Sequence, residues 1–189
     1  VRTLVKIDNV DRKMLKLLSQ DSEIPQIDLA KHIGISQPAV SSRINKLKKT
    51  GALTYLTGVD VKKAQLFLAR IDVFTNDVDH LLDSLDHCPC YLNSFLTSGR
   101  HNLTILLIGE NVRSLISCVD SHIRSNPLVR EMEFNVMLTP IRSFVVPIEF
   151  HPDKKQITPC GKDCAGCNLY ADNRCFGCPT SINYKGTLL

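Results

Sequence analysis

Residues 26–51 read QIDLAKHIGISQPAVSSRINKLKKTG, and this stretch decides the fold of the amino-terminal third. Ile27, Ala30 and Ile33 recur at helical spacing, the apolar side of a short helix. Gly34 ends it, because a left-handed residue costs little only at glycine. Ser36 stands where a cap belongs, and Pro38 suits the first turn of the next helix, where its missing N–H would be unpaired anyway. Val40, Ile44 and Leu47 at i, i+4 and i+7 face inward, and Gly51 terminates the element.

Upstream, Asp8 caps a helix running to about Ser19, with Asp11 in its first turn suiting the helix dipole. Val10, Met14, Leu17 and Leu18 form its single apolar stripe. Helix, short helix, glycine turn, capped helix is the helix-turn-helix arrangement. The third helix and its cap present Ser36, Gln37, Ser41, Ser42, Arg43, Asn45, Lys46, Lys48 and Lys49, four of them cationic and none acidic. Ser, Gln, Asn and Arg can read base edges in a major groove, and lysines near the helix end can hold phosphate. Duplex DNA is the expected partner.

Charge follows the same division. Residues 1–58 carry ten Lys/Arg against five Asp/Glu, residues 59–150 eight against eleven, and residues 151–189 five against three. The whole-chain +4 thus hides a basic head on an acidic middle, as expected of a polyanion-binding module joined to something else. With 43% hydrophobic and 22% charged residues the chain is globular. No apolar run approaches the ~18 residues of a membrane span. Charge arrives too early in VRTLVKIDNVDRK for a secretory signal, so a cytoplasmic location without membrane contact is expected.

The residues Asp8, Asp11, Arg12, Lys13, Leu29, Ala30, Gly34, Ile35, Ser36, Val40, Arg43, Ile44, Leu47 and Gly51 resemble the amino-terminal half of the Lrp/AsnC (feast/famine) transcription regulators. That resemblance implies a winged helix-turn-helix over 1–58 and, over 59–150, an oligomerising effector domain. The residue pattern of the middle agrees with such a domain. Ala69, Ile71 and Val73 alternate along a strand, and Val78, Leu81, Leu82 and Leu85 make a helical stripe. YLNSFLTSG and LTILLIGE form a hairpin, Val112, Leu115, Ile116, Val119 and Ile123 make a second stripe, and Met132, Phe134, Val136 and Leu138 alternate in a last strand. The expected class is therefore α+β: a winged helix-turn-helix, a ferredoxin-like βαββαβ domain and a small Cys-rich segment over 151–189.

By resemblance, the middle domain dimerises, assembles further and binds a small effector near its hairpin, at Gly99, Arg100, His101 and Asn102. The family commonly has Asp where this chain has Asn102, which supplies no charge for an ammonium group. On the residues alone, a plain turn is favoured over a ligand site.

CGKDCAGCNLYADNRCFGC places Cys160, Cys164, Cys167, Cys175 and Cys178 at C-x3-C-x2-C-x7-C-x2-C spacing. In a reducing compartment five clustered thiols point to metal, and two C-x-x-C pairs let four thiolates converge tetrahedrally on Zn²⁺. An iron–sulfur cluster such as [4Fe–4S] is the alternative, and zinc is favoured. Cys88 and Cys90 are expected as ordinary turn cysteines and Cys118 as a packed thiol. No catalytic set appears, so the expected function is a non-enzymatic, sequence-specific DNA-binding regulator modulated by an effector or by its cysteine cluster. The alternatives are an Lrp-like enzyme resembling sirohaem decarboxylases and an iron–sulfur redox module.

Overall fold

A computed structural model describes residues 6–147, 153–158, 161 and 163–187. It divides into two compact units, Val1–Leu56 and Thr57–Leu189. The first unit holds α1 (Asn9–Gln20), α2 (Gln26–Ile33) and α3 (Gln37–Lys49). Asp8 and Asp11 exchange backbone-to-carboxylate hydrogen bonds as a capping box at the start of α1. Gly34 takes φ 80° at the end of α2, the left-handed conformation read from the sequence. Ser36 does precede α3, but its side chain makes no capping hydrogen bond, and Pro38 in the first turn carries the start instead. Met14, Leu18, Leu29, Ala30, Val40, Ile44 and Leu47 form the core. Burying such side chains contributes about 1.5–3 kcal/mol each before chain entropy is subtracted.

The second unit is built on an antiparallel sheet of order β3-β4-β2-β5. Its strands are β2 (Phe67–Thr75), β3 (Tyr91–Leu96), β4 (Leu103–Gly109) and β5 (Val129–Met137). Helices α4 (Val78–Asp83) and α5 (Val112–Val119) supply the crossovers. Alternation decides which face is covered. Ala69, Ile71, Val73, Leu103, Ile105 and Leu107 pack with Leu81, Leu85, Leu115, Val119 and Ile123, while Arg70, Asp72 and Thr104 bond to one another on the opposite side. The α5 stripe reaches Ile123 as read, but through a π-helical turn over Asp120–Arg124.

A two-residue ladder of β1 (Val59–Asp60) with β6 (Val145–Val146) closes a smaller core around Val61, Leu66, Leu68 and Ile108. Among its described residues the Cys-rich segment forms the short helix α6 (Asn168–Ala171), and it belongs to the second unit. The Phe176 N–H donates to Ser114 Oγ at 3.1 Å, and the Tyr184 hydroxyl donates to Glu110 at 2.6 Å. The Thr187 N–H donates to both Glu110 oxygens at 3.0 and 2.9 Å. The tail is therefore moored beside the start of α5.

Candidate nucleic-acid interface and thiol pocket

Helix α3 is held from below by Val40, Ile44 and Leu47, so its other sides face out. Gln37, Ser41, Ser42, Asn45, Lys46 and Lys49 line one shallow concavity along it. Hydroxyl, amide and ammonium groups on one continuous surface can approach base edges and phosphate together. Two expected members have partners within the unit. The Arg43 Nη1 donates to Asp8 at 2.6 Å and to Asp11 at 2.7 Å, which ties α3 to the first turn of α1. Lys48 places its ammonium 4.7 Å from the ring centre of Tyr55. Asp8 is held below the usual carboxylate range by the Asp11 N–H first and by Arg43 second. Gln37 is exposed and donates to Gln26 at 3.2 Å.

The hairpin residues read as an effector site are engaged within the fold. Asn102 Oδ1 accepts from the Thr75 N–H at 3.0 Å, and its Nδ2 donates to the Thr75 carbonyl at 2.7 Å. Arg100 pairs with Glu131 at 2.9 Å, and the His101 carbonyl accepts from the Thr97 hydroxyl. Gly99, at φ 139°, makes the turn. An amide is needed at 102 because the site presents one donor and one acceptor, and an ionised carboxylate would set an oxygen against the Thr75 carbonyl. Asn102→Ala should cost about 1–3 kcal/mol by stranding both Thr75 groups. Asn102→Asp should be worse at pH 7 than near pH 4, as denaturant melts at the two pH values would show. Equal loss at both would refute the clamp.

The cysteines depart furthest from expectation. Cys88, Cys90 and Cys118 are not independent, for their sulfurs all lie within 4.8 Å of one another. Cys88 and Cys118 are 3.6 Å apart. The β3–β4 hairpin arranges this. The Ile108 N–H donates to the Cys90 carbonyl at 2.8 Å, so the entry to β3 lies beside the exit of β4, which leads into α5 and Cys118. Contact with Cys118, then Cys90, pulls Cys88 far below the ordinary thiol range. Cys90 is pushed up by Cys118, by Cys88 and by burial, and Cys118 by Cys88 and by burial.

Cys164, Cys167, Cys175 and Cys178 line the same cavity of about 120 Å³ as those three. Among the described residues no three tail sulfurs meet as closely as that trio, and no disulfide joins the described cysteines. Cys160 lies outside the described residues. In the 175–178 turn Gly177 adopts φ 84°, and its N–H donates to Cys175 Sγ at 3.4 Å. The spacing of the tail cysteines is visible in the sequence, whereas the meeting of Cys88 and Cys90 with Cys118 is a product of the hairpin. A clue lay in their places: a helix-to-strand junction, and the helix that follows the next strand.

Residues 7–54 match the family described as winged helix-turn-helix DNA-binding. An uncharacterized HTH-type transcriptional regulator of Pyrococcus abyssi is 27% identical over 74% of this chain and 90% of its own length. The transcriptional regulator AzlB of Bacillus subtilis is 24% identical over 77% of this chain and 98% of its own. The structure of Escherichia coli AsnC superposes with a TM-score of 0.62 at 20% identity, covering 75% of this chain and 99% of that one. The chain thus has a winged helix-turn-helix head and the fold of AsnC. Each of these matches uses nearly the whole relative but about three quarters of this chain. No helix among its described residues is long and apolar enough to cross a membrane.

Proposed function

We propose that this chain is a transcription regulator, not an enzyme, that holds duplex DNA against α3. The observation that carries this reading is the acid-free outer surface formed by Gln37, Ser41, Ser42, Asn45, Lys46 and Lys49. Asn45 and Gln37 have the amide geometry that pairs with an adenine edge, and Lys46 and Lys49 neutralise phosphate. Arg43 acts as a brace that fixes the angle of α3 rather than as a reader. The test is fluorescence anisotropy with mixed-sequence duplex DNA at a series of salt concentrations. Binding that weakens steeply with salt supports the reading, and negligible affinity even at low salt overturns it.

The regulator works as at least a dimer, since paired half-sites require paired recognition helices. The second unit leaves Phe74, Phe95 and Met137 partly exposed on its sheet strands, a surface suited to a second copy. Light scattering should report a species of at least twice 21.1 kDa at micromolar concentration, and a single-chain mass throughout would contradict it. The tail's cysteines, Cys160 included, bind a thiophilic metal, and the state of that centre modulates DNA affinity. The engaged hairpin at 99–102 makes a small effector there the weaker source of control. Anaerobic metal analysis decides whether the tail carries zinc or an iron–sulfur cluster.

A further inference from the structure

We infer that Cys88, Cys90 and Cys118 of the α/β unit, together with Cys178 of the tail, ligate one thiophilic metal ion, which staples the tail to the domain. The inference goes beyond the metal reading of the tail: it keeps Cys178 alone of the tail's cysteines and takes the other three ligands from the α/β unit.

Three observations carry it. The first is spacing. Four thiolates about ~2.3 Å from a tetrahedral ion lie ~3.8 Å from one another. The 3.6 Å between Cys88 and Cys118 and the 4.8 Å limit on all three sulfurs suit the edges of such a tetrahedron. An iron–sulfur cluster places several irons and sulfides between its cysteines and holds them further apart, so the trio favours a single ion of the zinc class. The second observation is chemistry. Cys90 is buried and Cys88 and Cys118 are half-buried; thiols are weak partners for one another, whereas three sulfurs around one point make a strong soft-metal site.

The third observation selects the fourth ligand. Cys178 lines the cavity shared with the trio, and it alone of the described tail cysteines also lines the neighbouring cavity with Cys88 and His122. It follows the Gly177 turn, in a tail already moored through Ser114 and Glu110. Cys164, Cys167 and Cys175 line the shared cavity but not the neighbouring one. A Cys178 ligand would make the tail's docking depend on metal, through ligands that come from both sides of the contact.

The experiment uses the full chain, purified anaerobically, with Co²⁺ as the spectroscopic probe and Zn²⁺ as the competitor. A Cys164→Ser/Cys167→Ser/Cys175→Ser variant keeps the four proposed ligands. It should bind one equivalent of Co²⁺ with thiolate charge-transfer and tetrahedral ligand-field bands, and Zn²⁺ should displace it. Adding Cys118→Ser or Cys178→Ser should weaken binding at least tenfold, and Cys118→His should restore much of it, which a merely structural loss would not allow. Metal retained by Cys88→Ser/Cys90→Ser/Cys118→Ser but absent from the first variant would overturn the inference and leave the tail reading standing. No metal in the wild-type chain would overturn both. In the protein as purified, zinc without labile sulfide agrees with the single ion, and a sulfide-bearing iron centre lost with Cys118→Ser would overturn it.

Discussion

Reversing two charges on the recognition helix, Lys46→Glu with Lys49→Glu, should reduce DNA affinity roughly a hundredfold or more near 0.1 M salt. Both lysines are exposed and lie on the same concavity as Asn45 and Gln37. Each phosphate contact contributes about 0.9 to the slope of log affinity against log salt, so loss of two lowers it by about 1.8 per recognition helix. Reversal adds repulsion to the lost attraction. The control is Lys13→Glu with Lys16→Glu on α1, which makes the same change in net charge at two exposed lysines. It should weaken binding far less and leave the slope nearly unchanged. Asn45→Ala should behave differently again, costing about 1–3 kcal/mol on a cognate sequence and little on random DNA. Equal losses for the α1 and α3 pairs would mean that only net charge matters and that α3 is not the contact surface.

What could be read from the chain in advance follows from the range of the interactions involved. The three helices of the first unit announce themselves through contacts three and four residues apart, a capping box and Gly34, all of which are local. The four-stranded sheet was legible because alternation in β2, β4 and β5 encodes which face is covered, whatever the partner strand. Side-chain destinations were not legible. Arg43 meets acids 32 and 35 residues away, Asn102 clamps Thr75 across 27, and Cys118 reaches Cys88 across 30. Each pairing exists only after the surrounding elements have docked. The tail shows both cases: its C-x-x-C spacing is visible in the sequence, but the cavity it faces is lined in part by another part of the chain. The Cys160 assignment lies outside the described residues and rests on spacing alone.

Arg43→Ala should act first on folding and only secondarily on DNA. The Asp11 carboxylate is 2% exposed, and one of its oxygens accepts from Arg43 at 2.7 Å. The other accepts from the Asp8 N–H at 3.2 Å. Removing the guanidinium leaves a carboxylate in the core with one cap hydrogen bond, the circumstance in which a broken pair is most costly. The first unit has few core residues to spare, so its melting temperature should drop by several degrees, more than for any α3 lysine variant. Arg43→Ala with Asp11→Asn should recover part of the loss, because the amide keeps an acceptor for the Asp8 N–H without a buried charge. Acid supplies a second signature. Asp8 is depressed below the usual carboxylate range, so its contribution is present above the unfolded value of about 3.9 and fades as pH falls through the lower folded one. The wild-type and Arg43→Ala melting curves should therefore approach each other in acid and separate toward neutrality. On DNA, at a temperature where both proteins are folded, the salt slope should stay unchanged. A slope reduced by about one with an unaltered melting temperature would instead make Arg43 a phosphate contact, and α3 would then need another brace.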